Sequence, residues 1–290
     1  MFSTRTDART GSSLMSPQRN ILEHEALGAL QTSAAAGVNL VDRYTARAAA
    51  YSRCRWDYAE EAVEAFTREC GLPKDATIAD IGSGTGMVTR QFVDRARIVF
   101  AVEPNAEMRG LATDSLRAHR AYREVDGFSD ATTLPDRSVR LITVGRALHW
   151  FPAESTRAEF FRILEPGGCL ASFSVKCTNT GLLDALKALR IPENGWDPAV
   201  DKNQRHVVPL SFYFGHDRFR TLTFAGSVRE TWDVFLGRMY SLVSAPTPDH
   251  PRRLNFERTL REVFDEHADD GVLDIPNETQ IAFAQMCRQR

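Results

Sequence analysis

Ile78-Ala79-Asp80-Ile81-Gly82-Ser83-Gly84-Thr85-Gly86 is the stretch on which the reading of this chain turns. A short apolar run carrying one acid breaks into three glycines at alternate positions. Read physically, this is a buried strand entering a turn that side chains would obstruct, with a helix expected to start near Thr85. Glycine lets the backbone adopt positive φ and come close to a ligand. The first turn of the helix offers unpaired N–H groups to the same space. The spacing is Gly-x-Gly-x-Gly, whereas the dinucleotide fingerprint is Gly-x-Gly-x-x-Gly with a pyrophosphate over the helix N-terminus. Asp80 is a poor neighbour for a pyrophosphate and a good one for an ammonium group. Its alternative is a local one, an acid that caps the next helix.

Four further segments follow in order. Ile98–Val102 reads as a second buried strand ending at Glu103-Pro104-Asn105, with an acid at the strand end. Ser129-Asp130-Ala131-Thr132-Thr133-Leu134-Pro135 comes next. Val139–Trp150 reads as a strand running into Ala147-Leu148-His149-Trp150-Phe151. Phe160-Phe161-Arg162-Ile163-Leu164-Glu165-Pro166-Gly167-Gly168 reads as a helix and turn before another strand. Together with the glycine loop, these segments resemble the motif set of the class I S-adenosylmethionine-dependent methyltransferases.

That resemblance implies an α/β fold: a doubly wound, mostly parallel, seven-stranded Rossmann-like sheet with one antiparallel strand near its end. It also implies S-adenosylmethionine as cofactor and S-adenosylhomocysteine as product. Cofactor-binding residues carried over from the motifs are Asp80, Gly82, Ser83, Gly84, Gly86, Glu103 (placed to accept both ribose hydroxyls), Pro104, Met108, Asp130, Ala131 and Arg146, the last beside the transferring methyl. Thr132 replaces an acidic residue, so adenine recognition is expected to fall to the Asp130 carboxylate and the Ala131 N–H.

Tyr51-Ser52-Arg53-Cys54-Arg55-Trp56-Asp57-Tyr58 resembles a segment of the small-molecule branch that includes trans-aconitate methyltransferase and the quinone methyltransferases. Tyr51, Arg55 and Tyr58 match, while Trp56 and Ala59 stand where that branch has prolines. The resemblance implies that Tyr51 and Arg55 close over the methionine half of the cofactor; the alternative is an ordinary amphipathic helix with exposed arginines.

For catalysis the candidates are His149 and Arg146. His149 follows the fourth strand and belongs to a side-chain class that titrates near neutrality, although it also suits a structural place in an aromatic segment. Arg146 stands where relatives carry glutamine. It could fork onto a substrate carboxylate, or pair with an acid such as Glu107 or Asp136. Arg140 replaces an aspartate at the start of the same strand, a change that bears on stability more than on chemistry. Trp150 and Trp232 read as core or lid aromatics.

Composition sets wider limits. With 290 residues, 43% of them hydrophobic, the chain can bury one substantial core with additions. A net charge of −2 gives no general attraction to nucleic acid or an anionic membrane. Five scattered cysteines without a Cys-x-x-Cys pair read as reduced thiols of a cytoplasmic protein. The histidines show no metal-ligand spacing. The expected partner is a small molecule, with the chain a monomer or homodimer.

Three regions are expected. Residues 1–36 read as a mobile extension with a helical pattern at 21–30. Residues 37–175 form the cofactor core. Residues 176–290 combine a substrate lid, within the long stretch Lys176 to Pro209, with the closing strands. Within the last region, Leu210, Phe212 and Phe214 alternate as a short strand would, and Arg218–Phe224 and Gln280–Met286 read as late strands. Leu182–Leu189, Thr231–Tyr240 and Arg252–His267 have helical spacing. The expected activity is methyl transfer to oxygen of a carboxylate or hydroxyl, with carbon and nitrogen open. The competing classes are a nicotinamide oxidoreductase and a non-catalytic binding or regulatory protein of the same fold.

Overall fold

The computed structural model describes residues 44–198 and 208–287. The expected helix at 21–30, the whole 1–36 region and part of the 176–209 stretch lie outside the described residues.

Seven strands form one sheet: β1 Thr77–Ile81, β2 Ile98–Val102, β3 Tyr122–Val125, β4 Val139–Gly145, β5 Leu164–Cys177, β6 Arg220–Thr231 and β7 Val272–Gln285. Their spatial order is β3-β2-β1-β4-β5-β7-β6. The first five are parallel neighbours, and β7 runs antiparallel to both β5 and β6. The order reverses between β1 and β4, which opens a crevice at the carboxyl ends of these strands.

All five residues of β1 are buried, as a central parallel strand covered by helices requires. One face packs on the helix Glu60–Glu69, where Phe66 meets Phe92, Phe173 and Phe283 edge-on. The other face packs on the helix Ala153–Ile163, through Phe160 and Ile163, and on Tyr213 and Phe214. A third apolar cluster joins the helices Thr180–Leu189, Trp232–Tyr240 and Arg253–His267 to Leu273 and Ile275 of β7. Trp232 belongs there, against Phe264, and takes no part in the crevice.

Two expected elements differ. Regular helix after the glycine loop begins at Thr89, not Thr85. Gly84 and Gly86 both have positive φ, which no residue of a right-handed helix has, so winding starts only beyond them. Leu210–Phe214 is a helix, not a strand. Pro209 precedes it and Gly215, at φ 82°, ends it, while Tyr213 and Phe214 are the buried members. The alternation of aromatics imitated a strand where one helical turn buries its apolar side. Arg140 is half-buried and faces Glu165 at 3.8 Å, away from the crevice.

Candidate active site

A cavity of about 410 Å³ opens at the carboxyl ends of β1, β2 and β4. A smaller chamber of about 20 Å³ adjoins it beneath the glycine loop, and the two share Tyr51, Gly82, Gly84, Gly145 and Arg146 in their walls. The chamber is roughly the size of one water.

The floor is built by strand register. Asp80 lies opposite Ala101 of β2 and Thr143 of β4. The Thr143 hydroxyl therefore reaches its carboxylate at 3.0 Å, and the Thr89 hydroxyl donates to the other oxygen at 2.6 Å. Asp80 thus ties the sheet to the start of the helix and also walls the small chamber. Burial pushes its carboxyl up to about 6, against the opposing pull of the Thr89 and Thr143 hydrogen bonds.

Beyond β1, Gly82 and Ser83 donate their N–H groups to the Val102 carbonyl, which carries the loop across the end of β2. Gly84 then donates to Glu103 Oε2 at 2.9 Å, while the Asn105 N–H donates to Glu103 Oε1 at 2.9 Å. Both carboxylate oxygens keep accepting capacity. Burial raises the carboxyl's pKa, against the stabilising bonds from Asn105 and Gly84. A side chain at Gly84 would need positive φ, and its Cβ would stand in open space, the nearest atom being Met108 Sδ at 4.0 Å. Gly86 lies on neither cavity; it is packed against Leu116 and Ala112, so its place is structural.

Asn105 caps the helix Ala106–Leu116 by accepting from the Met108 N–H, and its amide donates to Thr45 at 2.9 Å. Pro104, Asn105 and Met108 line the cavity, as do Phe128, Ser129 and Asp130 opposite. Asp130 accepts from the Ser155 hydroxyl at 3.0 Å. Ala131 does not serve as expected. Its N–H donates to the Phe128 carbonyl in a local bridge and it does not reach the cavity. Phe128 presents a ring 56% exposed on the cavity wall instead. Nearby, Thr132 is held from the facing helix. Glu159 accepts from both the N–H and the hydroxyl of Thr132 and from Arg162. The Arg162 guanidinium, with the Thr132 bonds, holds the Glu159 carboxyl down at about 2.

The β4 side is cationic. Arg146 has φ 57°, an unusual backbone state for this residue type and a source of local strain. Gly145 before it lies so close to Val88 and Tyr58 that a Cβ would stand 2.5 Å and 2.7 Å from their atoms. The Arg146 guanidinium sits over the Tyr58 ring, 5.3 Å from its centroid, and donates to the Trp56 carbonyl at 3.3 Å and the Met87 sulfur at 3.0 Å. It pairs with neither Glu107 nor Asp136; Asp136 pairs with Arg162. Arg55 lies over Tyr51 and donates to the Ser241 carbonyl, so it is not an exposed helix arginine, nor does it line the cavity.

Trp56 and Ala59, which stand for the two stiffening prolines, have replacements for that stiffness. The Trp56 indole donates to Glu230 at 2.6 Å, Arg238 grips the same carboxylate and covers the Trp56 ring, and Ala59 N–H donates to Thr279.

His149 sits in a single turn, Leu148–Trp150, tilted against the Trp150 ring, and does not line either cavity. Burial, with Arg55 nearby, lowers its pKa to about 4, so it is neutral and weakly basic at pH 7. Tyr58 is pushed up to about 12 by burial. Tyr44 and Phe151, to which the motif reading gives no role, complete the aromatic wall with Trp150, expected as a core or lid aromatic, which lines the cavity.

Residues 79–172 match a family model described as a methyltransferase domain. Solved structures share the fold over most of this chain. A proposed type II methyltransferase from Anaeromyxobacter dehalogenans superposes with a TM-score of 0.56 at 19% identity, covering 81% of this chain and 99% of that one. A proposed methyltransferase from Bacillus halodurans gives 0.51 at 16% identity, covering 78% and 99%. The fold is that of the class I methyltransferases. An uncharacterised methyltransferase of Schizosaccharomyces pombe is 32% identical over 125 residues, 42% of this chain and 47% of that one. One of Mycobacterium tuberculosis is 36% identical over 123 residues, again 42% and 47%. The chain thus spans about half the length of the curated relatives it matches. The matched methyltransferase domain carries the glycine loop from Ala79 on, Glu103, Asp130 and Arg146, whereas Tyr51 and Arg55 precede it. No helix among the described residues is long and apolar enough to cross a membrane.

Proposed function

We propose that the protein is an S-adenosylmethionine-dependent methyltransferase acting on a small molecule, at oxygen of a carboxylate or hydroxyl. The supporting observation is Glu103 at the end of β2, facing the same cavity as Gly82 and Gly84 with accepting capacity left for a diol. The chain's own atoms fit such a cofactor. Ser83 Oγ is buried without a hydrogen-bond partner in the wall of the small chamber, and Gly84 leaves a cradle that a side chain would fill.

Glu103 would hold the ribose, Phe128 and Asp130 the adenine edge, and Ser83 and Asp80 the amino acid end. Bound there, S-adenosylmethionine supplies an electrophilic methyl group. The protein's part is alignment and exclusion of water, which contributes roughly 7–11 kcal/mol in favourable cases. Tyr44, Trp150 and Phe151 wall the reacting space. His149 and Tyr58 titrate far from neutrality on opposite sides, so neither is tuned as a general base at pH 7.

Titration calorimetry with S-adenosylhomocysteine, with NADH in parallel, tests the reading. Micromolar binding of the first and none of the second is expected. Binding of NADH alone would replace the reading with a nicotinamide enzyme.

A further inference from the structure

The charges at the β4 end of the site do not close among themselves. Arg238 is neutralised by Glu230 at 2.7 Å. Arg55 and Arg146 have no carboxylate within ion-pair distance among the described residues, and each keeps a buried Nε without a hydrogen-bond partner. Asp57, the acid nearest to hand in sequence, is bound to Arg90 at 2.8 Å. A guanidinium stays charged at every accessible pH. Two such charges, felt by each other in a low-dielectric interior, cost free energy unless an anion joins them. Only Arg146 reaches the cavities: it lies in the wall where the large cavity meets the small chamber, and Tyr51, under Arg55, lines the same junction.

We propose that Arg146 is the centre of a carboxylate-binding site at this junction, with Arg55 behind Tyr51 as its second positive charge. The inference rests on the methyltransferase reading for what the carboxylate belongs to, but not for the site itself. Planar, bidentate recognition suits a carboxylate better than a spherical anion. The Trp56 carbonyl and Met87 sulfur both engage one amino group of Arg146, and its Nε keeps no partner. The backbone state of Arg146 belongs to the same design, since strain of this kind is retained where function holds it. Two sources share this chemistry: the amino acid end of the cofactor, and the acceptor.

The test uses the full chain as wild type, Arg146→Gln and Arg146→Lys, at fixed ionic strength. One arm compares binding of S-adenosylhomocysteine with that of its analogue lacking the carboxylate. A second titrates succinate, with succinamide as the neutral control, into free and S-adenosylhomocysteine-loaded protein. Wild type should prefer the carboxylate at least tenfold in one arm. Loss of that preference in Arg146→Gln in the first arm assigns the site to the cofactor; loss in the second assigns it to the acceptor. Arg146→Lys should retain part of the preference. Equal preference in wild type and Arg146→Gln overturns the proposal. So does a wild type that discriminates in neither arm, whether or not the Gln variant folds. If S-adenosylhomocysteine fails to bind wild type, the methyltransferase reading falls, while succinate titration of the free protein still decides the site.

Discussion

The β1–β2 half of the site and its β4 half handle buried charge in opposite ways. On the first, each acid is satisfied by the chain: Asp80 by two threonine hydroxyls, Glu103 by two backbone N–H groups. On the second, two guanidiniums are buried against aromatic rings and carbonyls with no acid between them among the described residues. A half that is self-sufficient suits a constant ligand, and a half left in deficit suits a ligand that brings the missing charge. One fold therefore holds a finished surface beside an unfinished one.

The largest effect should come from enlarging the deficit. Glu230→Gln would strand Arg238 as a third bare cation beside Trp56, and breaking such a buried pair costs about 3–5 kcal/mol. Urea unfolding would measure it; a loss under 1 kcal/mol would mean that the β4 half tolerates bare charge freely, and the contrast would collapse. Asp80→Asn probes the other half. Its folded pKa is raised from 3.8 to about 6, so the contribution of Asp80 to stability is greatest below pH 3.8 and is lost as pH rises through 6. The loss is about 3 kcal/mol at most. The stability of Asp80→Asn relative to wild type should therefore climb between pH 4 and pH 7. A difference that stays flat across that range would show that Asp80 is not penalised by burial.

Glu103→Gln keeps the shape and removes the charge, and should weaken S-adenosylhomocysteine roughly tenfold to a hundredfold, the worth of charge-assisted hydrogen bonds. Unchanged affinity would remove Glu103 from the ribose. Smallest of all is His149→Ala. With the ring neutral above about pH 4, the variant's rate should run parallel to wild type from pH 6 to 9. A wild-type limb near pH 6.5 that vanishes in the variant would restore His149 as a base.

How much of this was legible beforehand follows the same division. The strand, glycine loop and acid of the β1–β2 half are local: apolar runs and glycine spacing carry them, and Glu103 follows its strand directly. The partners of Asp80 were less visible, although a threonine within the apolar run Leu141-Ile142-Thr143-Val144 is a signal that something polar faces it. Ala131 misled because a bridge to Phe128 takes its N–H, a contact that no spacing announces. The partner of Thr132 is Glu159, from a helix 27 residues on, and no local spacing announces it. On the β4 side, Arg146 stood out by residue type, but its partners come from residues up to 90 positions away. Its positive φ leaves no mark in composition. The helix at Leu210–Phe214 was hidden because alternation and one helical turn coincide over five residues.

The Gly84–Glu103 hydrogen bond, finally, concerns time as well as affinity. Because the loop is clasped to the end of β2 by the chain itself, the entropy of ordering it is lost when the protein folds, not when a ligand arrives. Encounter on this side should be one step: the observed rate of S-adenosylhomocysteine association should rise linearly with its concentration, with no plateau from a slow rearrangement. Loosened at Gly84 by Glu103→Ala, the same loop should bring the plateau in.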